Sequence, residues 1–224
     1  MNIKRRKKLY TKSRFPVWLF LVIMAALISG TPNETNESVL DLDPKALEVC
    51  TVDCKFPVPM VSYTFEYLKV FTNLEFSDVA TTLEQESQFN EKCKTWEPNV
   101  RDYSWGAPQV RGKTAGGMGC KDPKKLLTWK YGLYYGMKYL SICKDKAKRT
   151  CMQDYGYVNS DIVRRRMHSM YNAGNLYWKT IIENGEKKKV YRNRRYVIEC
   201  EYIYWRNLEK YEEVVKLVKL SKQG

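Results

Sequence analysis

The chain predicts a mainly α fold, an exported helical domain behind an apolar N-terminal segment. Three observations predict it. Several long stretches repeat their apolar residues at helical spacing, few stretches alternate strictly, and Gly and Pro are sparse except in 106–123. The 224 residues are 44% hydrophobic and 29% charged, a globular composition. That excludes a fully disordered chain, a collagen and a polytopic membrane protein.

The elements follow in chain order. Residues 1–15 hold seven cations and no acid. Residues 15–29 (FPVWLFLVIMAALIS) are apolar with no polar face to show water, so they belong in lipid or in a translocon. This is the layout of an export signal, a charged region followed by an apolar one. The apolar run is shorter than the ~20 residues that comfortably span a bilayer. Its exit, Leu27-Ile28-Ser29-Gly30, is a poor cleavage site, which favours an uncleaved signal anchor over a cleaved signal peptide. The positive-inside rule puts residues 1–14 in the cytoplasm and everything after Gly30 outside. Residues 30–46 are polar and acidic and read as a tether, with glycosylation sequons at Asn33 and Asn36. Residues 47–224 then form one globular domain without internal repeats.

Within that domain, 77–91 begins at Ser77, a candidate N-cap. Residues 125–141 set Trp129, Leu133, Gly136 and Leu140 at helical spacing, and Gly132 and Gly136, one turn apart, leave room for another helix. Residues 160–173 start at Ser160 as cap and stop at Gly174, a good C′ residue. Residues 196–221 carry an apolar stripe through Ile203, Leu208, Val215 and Val218, and 185–195 is a basic loop or short hairpin.

The formal net charge is +14, and the first 15 residues supply half of it. With no nucleic-acid motif in the remainder, a nucleic-acid partner is disfavoured. All seven Cys (Cys50, Cys54, Cys93, Cys120, Cys143, Cys151, Cys200) lie beyond the apolar segment, so disulfides are the default reading, with one thiol left over. Zinc is disfavoured because no C-x-x-C pair occurs. A nucleophilic Cys would need a neighbouring His, and the chain's only one is His168.

The stretch 83–90, LEQESQFN, carries the chemistry. On a helix, Glu86 lies about 20° from Val79 in projection and continues the apolar stripe through Leu83. Glu84 lies about 140° round and is expected to face water. A carboxyl on an inward stripe is expensive to ionise, so its pKa rises, which suits a general acid at neutral pH. The competing account is a buried ion pair between Glu86 and one of the many cations.

Three further patches accompany it: YSWGAPQVRGKTAGGMG (103–119), MYNAG (170–174) and RYVIECEY (195–202). In this order, after an E-S on a helix, the chain resembles the lytic transglycosylases, the soluble-lytic-transglycosylase-like branch of the lysozyme superfamily. The matching residues are Glu86-Ser87, the S-x-G-x-x-Q…T-A stretch 104–115, Asp122-Pro123 with Gly136 and Tyr139-Leu140, Tyr171-Asn172-Ala173-Gly174, and Tyr196-Val197. The resemblance covers roughly residues 65–205. The Gly-rich motif is shortened to Gly106-Ala107-Pro108-Gln109. An alternative register through Gly116-Gly117-Met118-Gly119 would replace the Gln by Gly119.

The resemblance implies a lysozyme-like, two-lobed helical domain that cleaves the MurNAc–GlcNAc β-1,4 bond of peptidoglycan with a 1,6-anhydro product. Glu86 would act first as acid and then as base. Ser104 and Gln109 would line the saccharide cleft, Tyr171 and Asn172 would pack beside the Glu and the substrate, and the Tyr196 hydroxyl would hold the Glu. No cofactor and no metal are implied. The partner would be peptidoglycan glycan strands, met on the extracytoplasmic side of the cytoplasmic membrane, or in the medium if the signal is cleaved. Only one carboxyl is placed; no spacing puts Asp102, Glu91 or Glu97 opposite it. A lysozyme-type hydrolase and a non-catalytic wall-binding protein of the same fold are the alternatives. Trp105 and Trp178 are candidates for stacking on sugar faces. The basic stretch 187–195 reads as a solvated loop, with anionic wall polymers as the alternative contact.

Overall fold

The structure, a computed structural model, describes residues 56–175 and 178–220. The basic segment 1–14, the apolar segment 15–29 and the tether 30–46 lie outside the described residues. Among the described residues, no helix is long and apolar enough to cross a membrane.

Phe56 opens the described chain, stacked on Tyr211 at 5.8 Å and edge-on to Phe76 at 5.7 Å. It leads into α1 (Val58–Leu68), whose first turn holds Pro59, where the missing N–H is not needed. Helix α2 (Phe76–Ser87) starts two residues earlier than a cap at Ser77 would set it. Its cap is Glu75, which exchanges side-chain bonds reciprocally with Asp78. It also stops before 91, because Gln88 and Phe89 take left-handed φ of 53° and 63°. That turn swings the Phe89 ring back against Phe56, centroids 5.3 Å apart.

A small antiparallel sheet follows, β1 (Lys94–Glu97), β2 (Asp102–Trp105) and β3 (Val110–Arg111), then the short helix α3 (Gly112–Gly117) and a 3₁₀ turn at Pro123–Leu127. The expected helix 125–141 is thus split. Thr128 ends the 3₁₀ turn and caps the 27-residue α4 (Trp129–Tyr155), which stops at Gly156 with φ 75°. Helix α5 (Ser160–Ala173) ends at Gly174 (φ 77°) as expected, but its cap is Asn159, whose Oδ1 accepts the Ile162 N–H at 3.0 Å. The basic stretch 185–195 supplies the second strand of a hairpin, in which β4 (Trp178–Glu183) pairs with β5 (Glu186–Tyr191). Its two-residue loop, Asn184-Gly185, takes positive φ at both positions (54° and 81°), which matches the twist of a tight hairpin. Helix α6 (Arg194–Leu220) closes the described residues.

The architecture is mainly helical with two small sheets. Helix α4 packs on α1, α5 and the 3₁₀ turn, and α6 packs on α2 and α5. The core joins Val79, Ala80 and Leu83 of α2, Leu133, Met137 and Leu140 of α4, and Met167 and Met170 of α5. Each such large apolar side chain contributes ~1.5–3 kcal/mol by leaving water. On α6 the buried line runs through Val197, Cys200, Ile203, Asn207, Tyr211, Val214 and Val218, at steps of three and four. Leu208 and Val215 of the expected stripe sit half-buried beside it. A buried ion pair, Lys144 Nζ to Asp78 Oδ2 at 2.6 Å, ties α4 to the start of α2.

Gly132 and Gly136 admit a loop rather than a helix. A Cβ on Gly136 would lie 2.5 Å from Pro108 Cβ, and one on Gly132 would lie 2.6 Å from the Leu126 carbonyl oxygen. The five described cysteines, Cys93, Cys120, Cys143, Cys151 and Cys200, are free thiols, so none of them forms the expected disulfides; Cys50 and Cys54 lie outside the described residues.

Candidate active site

Glu86 occupies the last turn of α2, where packing of α2 on α6 brings the start of α6 against it. The Tyr196 hydroxyl donates to Glu86 Oε1 at 2.6 Å. The carboxyl opens onto a cleft of about 280 Å³. Burial raises its pKa, the Tyr196 hydrogen bond opposes that, and the charge of Glu97 adds to the rise, giving about 7. Such a carboxyl holds its proton in a large fraction of molecules at neutral pH and can still release it.

The opposite wall comes from the three-stranded sheet. Ser104 pairs with Thr95 on one side and with Arg111 on the other. Because side chains alternate along a strand, Glu97, Ser104 and Arg111 share one face, and all three line the cleft. Ser104 Oγ donates to Glu97 Oε1 at 3.4 Å. Sequence reasoning left Glu97 unassigned and did not consider Arg111. The signal was present in 94–97 and 102–105, where Trp96, Tyr103 and Trp105 alternate with Glu97 and Ser104. These short runs show their two-faced character only once they are paired.

The α5 end supplies the remaining wall. Tyr171 lines the cleft, but its hydroxyl donates to the Pro108 carbonyl at 2.7 Å rather than to Glu86. Together with Gly136, this clamps the 106–109 loop. Gln109 also lines the cleft, at a left-handed φ of 48°. Its Nε2 donates to the Gly106 carbonyl at 2.8 Å and to the Cys93 carbonyl at 3.2 Å, so its amide nitrogen braces the loop. The competing Gly116–Gly119 register does not border the cleft, whereas Ser104, Gln109 and Thr114 do. Asn172 is exposed at the rim and accepts from Asn193 Nδ2 at 3.2 Å, linking the cleft to the root of the basic hairpin.

Several expectations are corrected. Glu84 does not face water; it pairs with Arg206 and accepts from Asn207 Nδ2 on α6. Glu86 makes no ion pair among the described residues. Neither Trp105 nor Trp178 lines the cleft. Trp105 lies on the outer face of the sheet with Tyr103 under the Lys94 ammonium, and Trp178 stacks on Tyr191 at 4.4 Å. His168, the partner that a nucleophilic Cys would need, is fully buried, and burial pushes the Cys143 thiol up to about 12. Among the described residues, no group of three or more His, Cys, Asp or Glu is arranged to hold a metal ion.

No protein-family model, no curated protein and no solved structure matches the chain.

Proposed function

We propose that the chain is a peptidoglycan lytic transglycosylase with a two-lobed, lysozyme-like domain, held at the cytoplasmic membrane by residues 15–29 and acting on the extracytoplasmic side. The observation that carries this reading is Glu86, a carboxyl with a pKa near 7 set in a cleft and gripped by the Tyr196 hydroxyl. Cleavage of a glycosidic bond needs a proton on the leaving oxygen and support for an oxocarbenium-like state. Glu86 supplies the proton to the leaving oxygen. The N-acetyl group of the muramyl sugar supports the cation. The carboxylate left behind then takes the proton of the C6 hydroxyl as that oxygen attacks C1, closing the 1,6-anhydro ring. Glu86 ends protonated, as it began.

Glu97 favours a second reading of the same site, hydrolysis. A second carboxylate bordering the same cleft can take a proton from water, the role that the one-carboxyl scheme leaves to the sugar. Mass spectrometry of sacculi digested by the full chain separates the two. The transglycosylase releases anhydro muropeptides, each one water lighter than the reducing products of a hydrolase. Glu86→Gln should abolish release of either product; binding to sacculi without any release would leave a wall-binding protein.

A further inference from the structure

Resting on that reading, we propose that Arg111 recognises a carboxylate on the glycan, and so selects acid-bearing muramyl strands over neutral amino-sugar strands. Lys144, Arg164, Arg166, Arg195 and Arg206 each meet a carboxylate within 4 Å. Arg111 borders the cleft, and its guanidinium forms no ion pair and no hydrogen bond among the described residues.

Its placement follows from the pleat. As the last residue of β3, opposite Ser104, Arg111 stands on the cleft face and reaches toward the end of α5. One guanidinium nitrogen, Nη2, lies 3.9 Å from where a Cβ on Gly174 would sit. Tyr139 of α4, which also lines the cleft, feels its charge. A guanidinium is a planar fork whose paired N–H groups match the two oxygens of a carboxylate. Left unpaired beside a cleft, it has its donors available to a ligand that carries one. Muramyl sugars offer that group in two places, the lactyl carboxyl when the peptide is absent and the peptide acids when it is present. A chitin oligosaccharide of equal length offers neither.

The test is calorimetric binding to the full chain carrying Glu86→Gln, which needs no turnover. Three probes are compared at equal length: peptide-free muramyl oligosaccharide, peptide-bearing oligosaccharide and chitin oligosaccharide. The acid-bearing probes should bind at least ~10-fold tighter than chitin, as a charge-assisted bidentate pair allows. Adding Arg111→Met should erase that preference, and Arg111→Lys should restore part of it. Preference for the peptide-free probe assigns the lactyl carboxyl; preference for the peptide-bearing probe alone assigns the peptide acids. A preference that survives Arg111→Met overturns the proposal. So does an equal loss on all three probes, which would mark a purely structural Arg, or the absence of any preference at the start. Release of muropeptides by the unsubstituted chain is scored separately, so the enzymatic reading and the Arg111 assignment can fail independently.

Discussion

The Tyr196 hydroxyl favours the charged form of Glu86, whereas burial and the Glu97 charge favour the protonated form. A general acid works only while protonated, so kcat/KM should fall as pH rises through about 7. Removing either neighbour moves that falling limb in a known direction. Tyr196→Phe removes the stabilising bond to the carboxylate and should shift the limb to higher pH, with a loss of rate from the freed carboxyl. Glu97→Gln removes a like charge and should shift it to lower pH. Paired pH profiles check both, and a shift of the same sign in the two variants would refute this electrostatic account. Glu86→Gln should cost at least ~10²-fold in rate at any pH, the scale of a lost general acid. At this scale the sequence was informative where a helix phase sufficed. Glu86 lies on the predicted stripe. Glu84 departs from its expected exposure because its partners, Arg206 and Asn207, come from α6, more than a hundred residues away.

Elements hold the cleft open through a few close approaches. Pro108 is seated on Gly136 of α4 and held from α5 by Tyr171, and that seat fixes the loop carrying Gln109. Alanine would gain up to ~1 kcal/mol of helix propensity over glycine at position 136. A methyl group 2.5 Å from Pro108 Cβ outweighs that gain, because overpacking costs ~1–3 kcal/mol. Gly136→Ala should therefore lower the thermal midpoint and cut activity more than its stability loss explains, since the displaced loop breaks the Tyr171 bond. A Gly136→Ala protein with full activity would show that the loop seat is not needed. The two glycines were legible as a close approach, but the approaching group was not. A loop has no periodicity by which to identify it from a distance. The same limit explains why α2, α4, α5 and α6 were all anticipated while the caps at Glu75 and Asn159 fell outside the predicted starts. Cap choice turns on which side chain the folded turn can reach.

Across the described molecule, the buried groups Glu86 and His168 have linkages that oppose one another. His168 is fully buried on α5, and neither ring nitrogen has a partner among the described residues. It faces Glu201 of α6, Arg164 of its own helix and Lys144 of α4, and burial leads the causes that lower its pKa to about 4. Between pH 6.5 and 4 the unfolded chain binds a proton that the folded chain refuses, so this contribution is full above 6.5 and fades as pH falls. Glu86 runs the other way. Its folded pKa is raised from 4.5 to about 7, so its contribution is full below 4.5 and fades as pH rises toward 7. Each amounts to about 3 kcal/mol, so the two slopes should nearly cancel between pH 4.5 and 6.5. Chemical denaturation across that range checks the balance. The unsubstituted chain should show a near-flat stability profile. Glu86→Gln should expose the histidine slope, with stability rising with pH. His168→Leu, which also removes two unpaired buried nitrogens, should expose the opposite slope, with stability falling as pH rises. Parallel profiles in the two variants would mean that neither group is as buried as its surroundings imply.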